Sequence, residues 1–346
     1  MGWYSIDAVD AAIKRTKKAL LEPFDFWKWI RLGIIVLFVG GGGIGTSNFN
    51  LPASYQRQYE DGGTEMPSTE EILNQVSQFW HQYQTYILIA VAIIIFLILL
   101  FTLISSIMEF VFVESLVTNH VAIRAYFRKY LRPGFNLFII QITLLILFLS
   151  LFILAMIPLL QRLLSGTVTP GLILSSILWF FGVVLIFAVL VGIIRSLISL
   201  AIPVAMYQEV GITAAIKKVF GRFREDWKQV AVYWAVRIIM GIAAVIIVGV
   251  AALMLFIIVF LILLVPALIL YFILSGLGQG ISSPLFWIVM IPYGLLAVIV
   301  FILLILLVSV PVPVFMKYHL LTFMQAWYPD VIMPLFDSER ADAQYP

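Results

Sequence analysis

Uncharged apolar runs long enough to cross a bilayer recur between Tyr86 and Pro313, and no other feature constrains the chain as much. The cleanest is YILIAVAIIIFLILLFTLISSIM, Tyr86 to Met108, 23 residues without a charge. A crossing takes about 20 helical residues for a ~30 Å core, with every backbone hydrogen bond made inside the segment. Further runs cover Phe135–Leu160, Gly171–Ile194 and Leu285–Val310. The stretch Val230–Leu274 exceeds one crossing. It reads as one long helix that breaks near Pro266, with PALILYFILSG as a short re-entrant or outer-interface helix. Two spans would need a tight turn inside VGVAALMLF, which offers no polar turn residue.

Composition agrees: 63% of residues are apolar and 11% charged, against about a quarter charged in soluble domains. Cysteine is absent, which excludes disulfides, thiolate metal sites and cysteine nucleophiles. The amphipathic basic start lacks a small-residue cleavage site, so no cleavable signal peptide is expected. Ile6 stands where N-myristoylation needs Ser or Thr, so that motif fails.

Charge placement sets the topology. All Lys and Arg except Arg57 and Arg162 fall in Met1–Arg31, Glu109–Gly134, Arg195–Arg237 or the tail after Val310. Segment 46–85 carries Glu60, Asp61, Glu65, Glu70 and Glu71 instead. By the positive-inside rule that segment is an external loop, and both termini, including a tail at 318–346, are cytoplasmic.

The basic stretches resemble one another: AAIKRTKKAL from Ala11, VAIRAYFRKY from Val121 and AAIKKVFGRF from Ala214. In the second, Arg124, Arg128 and Arg132 form an i, i+4 stripe. In the first, Asp10 precedes Lys14 by four residues, a favourable helical pair. A second echo joins IPVAMYQE at Ile202 to VPVFMKYH at Val312. The expected fold is therefore an all-α membrane protein with about six transmembrane helices as three hairpins, each preceded by a basic amphipathic interfacial helix. Residues 1–346 form one transmembrane domain, with repeat units at approximately 5–110, 115–205 and 210–315. Basic helices between hairpins are also what any positive-inside protein carries, so duplication is one of two readings. Either way Lys14, Lys17, Lys18, Arg124, Arg128, Arg132, Lys217, Lys218 and Arg222 are expected to meet anionic headgroups of the cytoplasmic leaflet.

The run FVGGGGIGTSNFNLP ends the first span. Eight residues between Arg31 and Gly40 make only about 12 Å of helix. That span must therefore start near Phe24 or Phe26 and run through the glycines. Gly41 and Gly45 form a G-x-x-x-G pair that lets another helix approach closely. The sharper alternative has glycine backbone lining a solute site, as in broken-helix transporters.

The opening WYSIDAVDAAI…LLEPFDFWKWIRLGIIVLFVGGGG…NFN resembles a family of archaeal integral membrane proteins with no assigned function. EFVFVESL and YWAVRIIMGIAA carry the same likeness. More distantly, the plan looks like the membrane domains attached to some glycerophosphodiester phosphodiesterases. No phosphodiesterase domain is expected within these residues, so that activity does not carry over. The resemblance implies a multi-pass plasma membrane protein and supplies neither catalytic residues nor a ligand.

His81, His120 and His319 fit belt or solvated positions at span ends, and no metal set or catalytic motif is visible. No enzyme activity, cofactor or nucleic-acid partner is expected. Glu109, Glu114, Arg195 and Arg237, with Gln141, form an expected inner polar ring. Structurally it would pair Glu109 or Glu114 with Arg195 or Arg237; functionally it would be a vestibule for an anionic solute or headgroup. The leading expectation is a non-enzymatic scaffold, subunit or lipid-interacting protein. Its partners would be membrane lipids and either a second copy or another membrane protein. The alternative is a small-molecule or lipid permease using the Gly-rich end and the polar ring.

Overall fold

Apolar side chains that point outward along most of their length give this protein its shape. The computed structural model describes residues 3–41, 69–164 and 170–337. These form α1 (Tyr4–Leu21), α2 (Phe26–Gly41), α3 (Thr69–Val117), α4 (Ile123–Lys129), α5 (Leu131–Leu164), α6 (Pro170–Tyr207), α7 (Ile212–Glu225), α8 (Trp227–Gly276), α9 (Pro284–Val308) and α10 (Pro311–Trp327). No strand occurs among the described residues. Five stretches are long and apolar enough to cross a membrane: Gln82–Val117, Leu131–Arg162, Gly171–Tyr207, Trp227–Gly276 and Pro284–Trp327. At most 11% of their most apolar windows is buried within the protein. Such surface is untenable in water and natural in lipid tails.

Burial is concentrated at one end, where the charged segments lie. There Phe110 and Val111 near the end of α3, Leu200 and Ala201 near the end of α6, and Val230 and Tyr233 in the first turns of α8 belong to one buried core. Helices α1, α7 and α10 close this core. Helix α1 presents Ser5, Ala8, Ala12 and Ala19 to it, and small side chains at helical spacing let it lie against α10. The chain then turns sharply into α2, and side chains just beyond the turn satisfy the orphan carbonyls of α1. Lys28 Nζ donates to Ala19 O at 2.5 Å and Trp29 Nε1 to Leu20 O at 2.8 Å. Asp25 caps α2 by accepting the Trp27 N–H at 2.9 Å. At the far end of α3, Tyr318 Oη donates to Leu116 O at 3.0 Å and the Phe336 N–H to Val117 O at 2.9 Å.

Helix α2 packs on α3, α5 on α6, and α8 on α9. Close packing is seen at Gly134 and Gly33. A Cβ on Gly134 would lie 2.8 Å from the Cα of Ile107, and one on Gly33 would lie 2.9 Å from the Leu306 carbonyl oxygen. Gly41 is the last residue of α2, and Gly45 lies outside the described residues.

Four expectations need correction. Thr69–Thr85, expected in the external loop, is helical and continuous with α3. Helix α8 does not break at Pro266 but runs unbroken for 50 residues. Proline removes one donor and crowds the preceding turn. The carbonyl that loses its donor is Ile262 O, and Tyr293 Oη on α9 donates to the next carbonyl of that turn, Leu263 O. The stripe Arg124, Arg128, Arg132 is divided, because α4 ends at Lys129, with Tyr130 as its cap, and Arg132 lies in the first turn of α5. Finally, residues 318–337 are no loose tail. Tyr318, Phe323 and Trp327 on α10, then Val331, Met333 and Leu335, are buried in the core.

Candidate functional site

The expected ring of carboxylates and arginines is resolved into separate contacts. Glu109 accepts a hydrogen bond from Lys317 Nζ at 2.8 Å, and the ammonium also lies 5.8 Å from the centroid of Phe112. Glu114, 6% exposed, takes Lys129 Nζ at 2.7 Å on one oxygen and the Tyr207 hydroxyl at 3.1 Å on the other. Neither expected arginine pairs with these carboxylates. Arg195 is exposed and makes no ion pair among the described residues. Arg237 reaches back one turn to the Tyr233 hydroxyl, 2.5 Å away. Gln141 accepts from Ser106 Oγ at 2.8 Å and so ties α5 to α3.

The physical reason is α10. It packs on α1, α3, α6 and α8, and so carries Lys317 to Glu109. Around Glu114, burial disfavours the Lys129 charge, yet hydrogen bonds and attraction from Glu114, with Tyr130 alongside, outweigh it and raise its pKa. Burial pushes the neighbouring Tyr130 hydroxyl up to about 12.

His319 is wholly buried, contrary to its expected interfacial place. Its Nε2 lies 3.0 Å from Ser5 O and 3.3 Å from Ser5 Oγ, tying α10 to α1. Its ring stacks on Tyr233, Tyr233 on Phe323, and Phe323 on Trp327, at 5.6, 4.4 and 5.5 Å between centroids. The His319 Nδ1 and Trp327 Nε1 atoms have no partner among the described residues. His120 lies exposed in the α3–α4 turn. Among the described residues no group of three His, Asp or Glu is placed to hold a metal ion.

Most basic side chains expected at headgroups are exposed, and several are engaged. Lys14 pairs with Asp10 at 2.6 Å, Lys17 with Glu22 at 3.1 Å, and Lys18 sits over the Phe336 ring. Lys218 donates to Gln208 Oε1, and Arg222 pairs with Glu225 and Asp226. Lys217 and Arg132 are exposed. Arg124 and Arg128 lie together with Arg31 around an open groove of about 530 Å³. Its remaining lining is Val121, Ala122, Ile123 and Ala125. Arg31 Nη1 approaches Val121 O at 3.4 Å.

Three important residues escaped the sequence reading. In the sequence Arg31 marks only the end of the first basic stretch. Lys317 stands only as one base after Val310, although the Ile202 and Val312 echo aligns it with Tyr207. Those two aligned positions each reach a carboxylate of α3. Arg15 gave no signal; it joins α1 to the C-terminal segment through Asp337 at 2.8 Å and Thr322 at 2.7 Å.

No curated protein and no solved structure matches the chain. A family model described as a family of unknown function (DUF7544) matches residues 3–333, nearly the whole chain, and the protein belongs to that family.

Proposed function

We propose that this is a non-enzymatic plasma membrane protein, a scaffold, subunit or lipid-interacting protein, whose packed basic end rests on the anionic cytoplasmic leaflet. About six spans, paired α2 with α3, α5 with α6 and α8 with α9, would project from that end, with both termini in the cytoplasm. The sequence likeness to an archaeal membrane family fits this placement.

One observation carries the reading: exposed bases of α1, α4 and α7 surround the end where the core is packed, while the apolar arms are bare of charge over most of their length. Each base near an anionic surface contributes about 1 kcal/mol, screened by salt. The groove lies at this basic end rather than between the apolar arms, which favours lipid contact over solute passage.

The test is thermal unfolding of the purified protein in neutral detergent, with phosphatidylglycerol or phosphatidylcholine added. Phosphatidylglycerol is expected to raise the midpoint, and added salt to reduce the gain. Equal midpoints with the two lipids would overturn the proposal.

A further inference from the structure

We infer that the groove between α2 and α4 holds the phosphodiester headgroup of one anionic phospholipid, with Arg31, Arg124 and Arg128 as its donors. The inference rests on reading the basic end as lipid-facing and makes that contact a defined site.

Charge balance is the first ground. Several bases at this end have acidic partners, Lys14 with Asp10, Lys17 with Glu22, Arg15 with Asp337 and Lys129 with Glu114, while Arg132, Arg195 and Lys217 stand singly and exposed with no ion pair among the described residues. The groove differs, since three guanidinium groups share it and no carboxylate lines it. None of the three makes an ion pair among the described residues. Arg124 and Arg128 stand four apart on one helix, a like-charge spacing that costs stability unless an anion sits between them. Helix α4 also divides its bases by face. Lys129 is held by Glu114, while Arg124 and Arg128 turn to the groove.

Chemistry is the second ground. Guanidinium forks match the paired oxygens of a phosphodiester, and charge-assisted bonds of this type are the strong ones. The floor is apolar, made by Val121, Ala122, Ile123 and Ala125, and Arg31 comes from a helix that continues as IIVLFV. A free phosphate has nothing to place on such a floor. A phospholipid has a glycerol and the first acyl carbons, so the occupant is an amphiphile.

The experiment is native mass spectrometry of the full chain in neutral detergent, titrated with phosphatidylglycerol. Wild type is expected to retain one tightly bound lipid. Arg124→Gln with Arg128→Gln is expected to weaken that binding by about tenfold or more, and Arg31→Gln to weaken it as well. The control, Arg162→Gln with Lys228→Gln, removes the same charge from exposed positions outside α1, α4 and α7 and should leave it bound. Unfolding midpoints without lipid show that the variants are folded. Retention of the lipid by the arginine variants, or equal loss in the control, would overturn the site while leaving a general anionic preference intact. Displacement by millimolar inorganic phosphate would overturn the amphiphile. Loss of any preference over phosphatidylcholine in wild type would instead remove the broader reading.

Discussion

Lys317 Nζ lies 2.8 Å from Oε2 of Glu109, joining α10 to the last turns of α3 across 208 positions of chain. The Lys317 side chain is 7% exposed and that of Glu109 24%, so each charge depends on the other for most of its solvation. Removing one partner of such a pair strands the other, at a cost of about 3–5 kcal/mol. Lys317→Ala and Glu109→Ala are each expected to lower the unfolding midpoint markedly. The pair Lys317→Met with Glu109→Leu should recover much of the loss, because both charges are gone. Equilibrium unfolding of wild type, Lys317→Met, Glu109→Leu and their double measures the coupling. Singles that melt like wild type would show that water reaches the pair.

That pairing marks where sequence reading stopped. The end of the molecule that would collect charge was legible, because bilayer depth depends on position along the chain. The identity of partners was not, because it depends on which helix face meets which. Arg195 and Arg237 lie at a suitable depth, but α10 supplies the base that Glu109 meets. Helix α10 itself was hidden, since VPVFMKYHLLTFMQAW reads as the end of a span followed by a tail. The basic helices were legible through their amphipathic period, and the predicted Asp10–Lys14 pair is present at 2.6 Å. The groove was half legible: Arg124 and Arg128 stood out on one period, whereas Arg31 joins them only through the fold.

Gly134 provides a test of the contact between α5 and α3. An added Cβ would stand 2.6 Å from Ile107 Cγ1 and 2.8 Å from Ile107 Cα, so backbone would have to move. Overpacking of this kind costs about 1–3 kcal/mol. Gly134→Ala should therefore lower the unfolding midpoint, whereas Gly182→Ala, with nothing within 4 Å, should not. Similar midpoints for both variants would mean that the two helices separate easily.

The segment after Pro329 should behave as core. Leu335 is fully buried, while Ile332, three residues earlier, is 60% exposed. Truncating a buried leucine costs about 2–5 kcal/mol, and a surface change about 0.5 at most. Leu335→Ala is expected to destabilise in that range and Ile332→Ala to be silent. If both are silent, the segment contributes little to the folded state.

Tyr293 and Pro266 are expected to be coupled. Pro266 sits inside α8 and offers no N–H to the carbonyls of the turn before it. The Tyr293 hydroxyl donates to one carbonyl of that turn, at Leu263. In lipid no water replaces the donor, so Tyr293→Phe should cost about 0.6–1 kcal/mol. Pro266→Ala restores a backbone donor one residue-step from Leu263 on the helix ladder and relieves crowding there. The tyrosine hydroxyl should then matter less, and Tyr293→Phe should cost less in the Pro266→Ala background than in wild type. A double-mutant cycle by unfolding in mixed micelles reads the difference directly. Equal costs in both backgrounds would show that the hydroxyl bonds this carbonyl without regard to the proline, and that α8 continues through Pro266 for another reason.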